Sequence, residues 1–163
     1  MRRADIIEKK IFSLPDLVRR IAQWRLTGKT VAFTNGVFDI MHRGHIASLS
    51  QAAGEADYLV VGLNSDASTK RLKGDSRPIN DEQARATVMA ALLMVDAVVL
   101  FDEDTPLELI KAVLPDVLVK GGDYTEEQIV GAKEVKANGG KVVINPIVEG
   151  YSTTGIIGKI NKL

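Results

Sequence analysis

Short unbroken apolar runs alternate along the chain with stretches in which apolar positions recur every three to four residues. Tyr58-Leu59-Val60-Val61-Gly62-Leu63 and Ala97-Val98-Val99-Leu100-Phe101 are apolar at consecutive positions, as in parallel strands covered on both faces. The periodicity predicts a helix over 15–25, with Ser13 near its start and Gly28 after its end, then strand 30–34, helix 44–55, strand 58–63, helix 80–93 and strand 97–101. Helix 106–113, strand 116–119, helix 126–137, strand 141–145 and helix 153–160 complete the pattern. Lys70–Asn80, punctuated by glycine and aspartate, is expected to be a mobile loop. Strands and helices in alternation predict an α/β fold: a Rossmann-like five-stranded parallel sheet with helices on both faces. Ligands of such a sheet bind at the carboxyl ends of the strands, near the point where the strand order reverses.

Length and charge narrow the classes. The 163 residues suffice for one domain, read as an N-terminal helical extension (1–29) and a core (30–160), with no room for an appended tRNA-binding or regulatory domain. Lys plus Arg and Asp plus Glu are 21 each, so the net charge is near zero, and no basic stripe alternates with aromatics. Nucleic acid and membrane surfaces are therefore not expected partners. The chain has no cysteine, and Met1 to Phe12 lacks the apolar core of a secretion signal, so the cytoplasm is the expected location.

The chemistry concentrates in Asn35-Gly36-Val37-Phe38-Asp39-Ile40-Met41-His42-Arg43-Gly44-His45, which holds the chain's two histidines. A strand, a glycine-bearing turn and a helix N-terminus form an anion site, because free N–H groups and the positive end of the helix dipole converge there. Imidazoles beside a phosphate donate hydrogen bonds and, when protonated, stabilise charge that develops during phosphoryl or nucleotidyl transfer. Gly36 and Gly44 let backbone and ligand approach closely. Without cysteine, and with Asp39 as the one nearby third ligand, a structural zinc is not expected.

Further candidates fall on the same rim. Ser152-Thr153-Thr154 opens the last helix, as a second anion site or as a simple cap. Lys70, Arg71 and Lys73 form either a solvated loop or a flap that closes over phosphates, with Lys73 before a Gly74 pivot. Arg85, shortly after the expected cap Asn80, either reaches back to the rim or pairs on the surface with Asp81 or Glu82. Lys120-Gly121-Gly122-Asp123-Tyr124 admits a flat ring against the backbone, or turns tightly into a capping box at Thr125 and Gln128. Asp39 would repel phosphates unless it meets acceptor hydroxyls or Mg²⁺.

The first string resembles the GxFDxxHxGH signature of the cytidylyltransferase-like nucleotidyltransferases, and Leu63 to Asp66, Lys70 to Gly74, Arg85, Lys120 to Tyr124 and Ser152 to Thr154 follow in that family's order. The resemblance spans about residues 30–160. It implies catalysis by His42, His45 and Lys73, and nucleotide binding by Asn35, Gly36, Val37, Phe38, Gly44, Gly121, Ser152, Thr153 and Thr154. It also implies acceptor binding by Asp39, Asn64, Asp66, Lys70, Arg85, Lys120 and Asp123. Mg²⁺ would accompany ATP without direct protein ligands, Asp39 being the one candidate. The strings Asn64–Pro78 and Leu118–Tyr124 look most like adenylyltransferases that activate D-glycero-β-D-manno-heptose 1-phosphate for lipopolysaccharide core. In many organisms that activity is fused to a sugar kinase, so this chain resembles the stand-alone form, a homodimer served by a separate kinase and phosphatase. A glycerol-3-phosphate cytidylyltransferase is the alternative, although such enzymes carry an arginine in an RTEGISTT string where this chain reads Ile147-Val148-Glu149-Gly150-Tyr151-Ser152-Thr153-Thr154. Pantetheine-phosphate adenylyltransferase fits less well because its TNGH-like element differs from His42-Arg43-Gly44-His45. A non-catalytic nucleotide sensor is the alternative of another class.

Overall fold

A computed structural model describes residues 4–146, 148, 150–160 and 162, so Met1–Arg3, and Ile147 and Glu149 of the string before the last helix, lie outside the described residues. Six parallel strands form one sheet: β1 (Ile11–Phe12), β2 (Val31–Gly36), β3 (Tyr58–Asn64), β4 (Ala97–Phe101), β5 (Val117–Gly121) and β6 (Lys141–Asn145), in the order β1-β4-β3-β2-β5-β6. The sixth strand, absent from the sequence expectation, is β1, which pairs Ile11 with Val98 and Phe12 with Val99 at the sheet edge. Two residues are too few to register as a period.

Alternate side chains enter opposite cores. Val31, Phe33, Val60, Val99 and Leu118 pack under α1 (Leu14–Leu26), α5 (Leu107–Val113) and α6 (Ala132–Ala137), while Ala32, Leu59, Val61, Leu63 and Val119 pack under α2 (Arg43–Ala53) and α4 (Glu82–Ala90). The N-terminal segment belongs to this body: Leu17 and Ile21 are buried, and Trp24 stacks on Tyr58 with ring centroids 4.1 Å apart. Ser13 caps α1, accepting from the Asp16 N–H at 3.3 Å.

Two helical expectations change. Part of the expected loop 70–80 is a helix, α3 (Asp66–Lys73), capped by Ser65, whose Oγ accepts from the Ser68 N–H at 3.0 Å. Its buried face is Ser68 and Thr69, small polar residues that leave no hydrophobic period to read. The helix expected over 126–137 divides into a 3-10 turn, Glu126–Gln128, and α6, parted by Gly131 at φ +87°, where a Cβ would lie 2.7 Å from the Ile110 side chain. Asp81, and not Asn80, caps α4, its Oδ1 accepting from the Ala84 N–H at 2.8 Å. The last helix, α7, runs Thr153–Ile160. From β2 the chain winds first towards β3 and β4 and then crosses to β5 on the other side. The order therefore reverses between β2 and β5, where a ligand cleft is expected.

Candidate active site

A cleft of about 520 Å³ opens there, along the carboxyl ends of the strands. Asn35–Asp39, at the end of β2 and in the turn that follows, form its floor together with His45, Asn64 and Lys120, and Lys73, Thr153 and Thr154 line its walls. His42, Gly44, Gly121 and Ser152 are not among the lining residues. His42 is the N-cap of α2, and its ring stacks on that of His45 with centroids 3.8 Å apart, while Phe38 meets His45 edge-on at 5.4 Å. Among the described residues, the buried Nδ1 atoms of both rings have no hydrogen-bond partner. Burial, and then the neighbouring His42, push the His45 pKa down to about 4, so this ring is neutral near pH 7.

Gly44 sets the histidine pair. A Cβ there would lie 3.1 Å from the His42 ring and 3.2 Å from Cβ of Tyr151, whose hydroxyl is 3.4 Å from the Arg43 guanidinium. A Gly44→Ala variant is expected to fold with a thermal midpoint close to that of the parent yet lose about tenfold or more in turnover, because the displaced ring no longer sits in register with His45. Unchanged turnover in a steady-state assay would remove this role.

Across the floor, the Lys120 ammonium is largely covered, and its one hydrogen-bond contact among the described residues is Asn35 Oδ1 at 3.5 Å. Burial lowers its pKa, as expected for a cation short of counter-charge. Gly121 passes close under α2, since a Cβ there would lie 3.1 Å from Ser48 Oγ. At the far wall Ser152 caps α7 by accepting from the Gly155 N–H at 3.0 Å, and Thr153 Oγ1 is 3.4 Å from the Ile40 carbonyl.

The family model for cytidylyltransferase-like proteins matches residues 33–159, from β2 to α7. The chain belongs to the cytidylyltransferase-like family. The bifunctional protein HldE of Hyphomonas neptunium is 59% identical over 143 residues, covering 88% of this chain and 29% of that protein. The HldE of Rhodopseudomonas palustris (strain BisB5) is 56% identical over 155 residues, 95% of this chain and 32% of that protein. The chain thus spans about a third of the length of these curated relatives. Among solved structures, a lipopolysaccharide core biosynthesis protein from Thermoplasma volcanium is 31% identical with a TM-score of 0.61, over 77% of this chain and 100% of that one. Pantothenate synthetase from Thermus thermophilus, 17% identical with a TM-score of 0.61 over 90% of this chain and 67% of its own, shares the fold.

Within this cytidylyltransferase-like site several residues take other positions than the motif order implies. Arg85 is 2% exposed and does not reach the cleft; its guanidinium donates to the carbonyls of Asn80 (3.0 Å), Val37 (2.7 Å) and Asn64 (2.9 Å) and to Asp66 Oδ1 (2.7 Å). Arg85 and Asp66 are thereby a brace between β2, β3 and α4, with four of the five guanidinium N–H groups held by protein acceptors. Asp39 lines the cleft, but its carboxylate accepts from Arg77 Nε (2.6 Å), the Ile79 N–H (2.8 Å) and the Asn80 N–H (2.9 Å). Burial alone would raise its pKa; the Asn80 and Ile79 N–H groups and the Arg77 guanidinium prevail and hold it below the usual carboxylate range. With its oxygens so occupied, Asp39 suits neither a sugar nor Mg²⁺. Among the described residues no three His, Asp or Glu side chains gather into a cation site.

Lys70 and Asp123 are exposed and do not line the cleft, and Arg71, also outside the lining, pairs with Asp104 at 2.7 Å. Asn64 is buried and donates to Ser68 Oγ at 3.0 Å. The cleft adds residues to which the sequence assigned no role: Leu72, Arg77 and Tyr124 inside the quoted strings, and Asp104, Thr105, Pro106 and Val130 outside them. Asp104 to Pro106 follow β4 on the same rim, so the rule of strand carboxyl ends was a usable signal for them.

Proposed function

We propose that the protein transfers AMP from ATP to D-glycero-β-D-manno-heptose 1-phosphate, giving ADP-heptose and pyrophosphate in the cytoplasm for lipopolysaccharide core. The observation that carries the reaction class is His45, stacked on His42 at the start of α2 and facing Lys73, Lys120 and the start of α7 across one cleft. The heptose rests on the strings Asn64–Pro78 and Leu118–Tyr124, supported by the HldE relatives and the lipopolysaccharide core neighbour.

An oxygen of the acceptor phosphate attacks the α-phosphorus, the bond from that phosphorus to the bridging oxygen breaks, and pyrophosphate leaves with the electron pair. The acceptor is already ionised near neutral pH, so no strong base is needed and the protein aligns the reactants and stabilises charge. His45, backed by His42, donates to the α-phosphoryl oxygens, and the N-terminus of α7 with Thr153 and Thr154 holds nucleotide phosphates. Lys73, next to Gly74 at φ +90°, and Lys120 offset the remaining negative charge. Mg²⁺ would arrive with the triphosphate and neutralise its oxygens. The active form is a homodimer, with sugar kinase and phosphatase activities as pathway partners. Among the described residues no helix is long and apolar enough to cross a membrane.

Pyrophosphate release with Mg²⁺ tests the reading, ATP and CTP being crossed with β-heptose 1-phosphate and glycerol 3-phosphate. Turnover confined to ATP with the heptose is expected. CTP with glycerol 3-phosphate would overturn the substrate, and ATP binding without pyrophosphate release from any sugar phosphate would favour a sensor.

A further inference from the structure

Two arginines stand on the α4 side of the cleft, and they are used in opposite ways. Arg85 has every guanidinium nitrogen occupied by protein acceptors. Arg77, in the loop between α3 and α4, is the one arginine among the described residues that line the cleft. Its side chain is only 15% exposed, and its Nε donates to Asp39 Oδ2 at 2.6 Å. Its two terminal nitrogens make no hydrogen bond to another described residue. A guanidinium held at Nε keeps its far edge free, and that edge presents two parallel N–H donors at the spacing of two phosphate oxygens.

Asp39 is what holds the group in place. The same carboxylate takes the N–H groups of Ile79 and Asn80, so it ties the loop backbone and the arginine to the turn after β2 at once. A long side chain fixed in this way loses little rotamer freedom when a ligand arrives. The cleft must also accept two phosphorylated reactants together, and apart from Arg77 the cations among its described lining residues are Lys73 and Lys120.

We propose that Arg77 is a phosphate-binding residue of this cleft, its terminal nitrogens gripping a phosphate of one of the two reactants, and that Asp39 is the positioning residue that aims it. This rests on the reading above that the reactants are a nucleoside triphosphate and a sugar phosphate. The phosphate belongs either to the nucleotide or to the acceptor, and two separate binding arms distinguish them.

Equilibrium binding of α,β-methylene-ATP with Mg²⁺, and separately of β-heptose 1-phosphate, is measured on the full chain and on Arg77→Met, Arg77→Lys and Asp39→Asn, with a thermal midpoint for each. Arg77→Met is expected to weaken one of the two ligands by about ten- to a hundredfold and leave the other within about twofold. The weakened arm identifies the source of the phosphate. Arg77→Lys restores part of that affinity, since it supplies charge without the fork, and Asp39→Asn weakens the same ligand as Arg77→Met. Wild-type affinity for both ligands in Arg77→Met overturns the proposal. So does equal weakening of both ligands in step with a lowered midpoint, which would make Arg77 a loop brace only. A wild-type chain that binds neither ligand fails at the functional reading itself, a result distinct from one in which wild type and Arg77→Met bind both alike.

Discussion

Replacing His45 with alanine is expected to lower turnover by about two to three orders of magnitude while the chain stays folded. The ring is half-buried, set between His42 and Phe38, with an Nδ1 that no described residue satisfies. The ring lines the cleft, and its removal takes away a donor that needs no reorganisation during reaction. The loss belongs in kcat, because the contact tightens as charge builds on the α-phosphoryl group. Full turnover with an unchanged thermal midpoint would end this assignment.

The same residue has a pH signature in stability. In the unfolded chain its pKa is near 6.5, and in the fold it is about 4. Between these values the unfolded chain binds the extra proton, so stability is complete above about pH 6.5 and declines as pH falls towards 4. Alanine at this position should flatten that part of the stability curve, as read from denaturant midpoints across the window. Equal slopes in both chains would contradict the burial argument.

Arg85→Ala should be the more damaging change for the fold, costing about 3–5 kcal/mol of stability. Removing a guanidinium of 0% side-chain exposure leaves the Val37, Asn64 and Asn80 carbonyls without their donor and Asp66 without its partner. Asp66 is one-third exposed, and water recovers part of that loss. Because Val37 and Asn64 sit at the ends of β2 and β3, the floor of the cleft loosens too, and affinity for both reactants falls with stability. A surface pair with Asp81 or Glu82 would instead be worth about 0–1 kcal/mol. Urea unfolding separates the two, and a loss below about 1 kcal/mol would show that Arg85 is no brace.

Much of the architecture was legible in the chain because strands buried on both faces must be apolar at consecutive positions. Tyr58–Leu63 and Ala97–Phe101 could therefore be placed to within a residue. The histidine string was legible for a related reason. A glycine-bearing turn into a helix is local, and Gly36 and Gly44 mark where the backbone must lie close to Phe38 and His42. The elements that were misread lack such local marks. β1 is two residues whose only warrant is its partner β4, and α3 buries serine and threonine. Charged residues carried the least information about their own use: the sequence put Asp39 in the turn after a strand and Arg85 shortly after the start of a helix, left Arg77 without a role, and did not say which would face inward. A charge acquires its role from the groups that desolvate and pair it, and those come from segments tens of residues away: Asp39 from Ile79 and Asn80, Arg85 from Val37 and Asn64. Sequence periodicity therefore set the sheet and the position of the histidine turn, whereas the tertiary structure alone decided which cations are tied up as braces and which line the cleft.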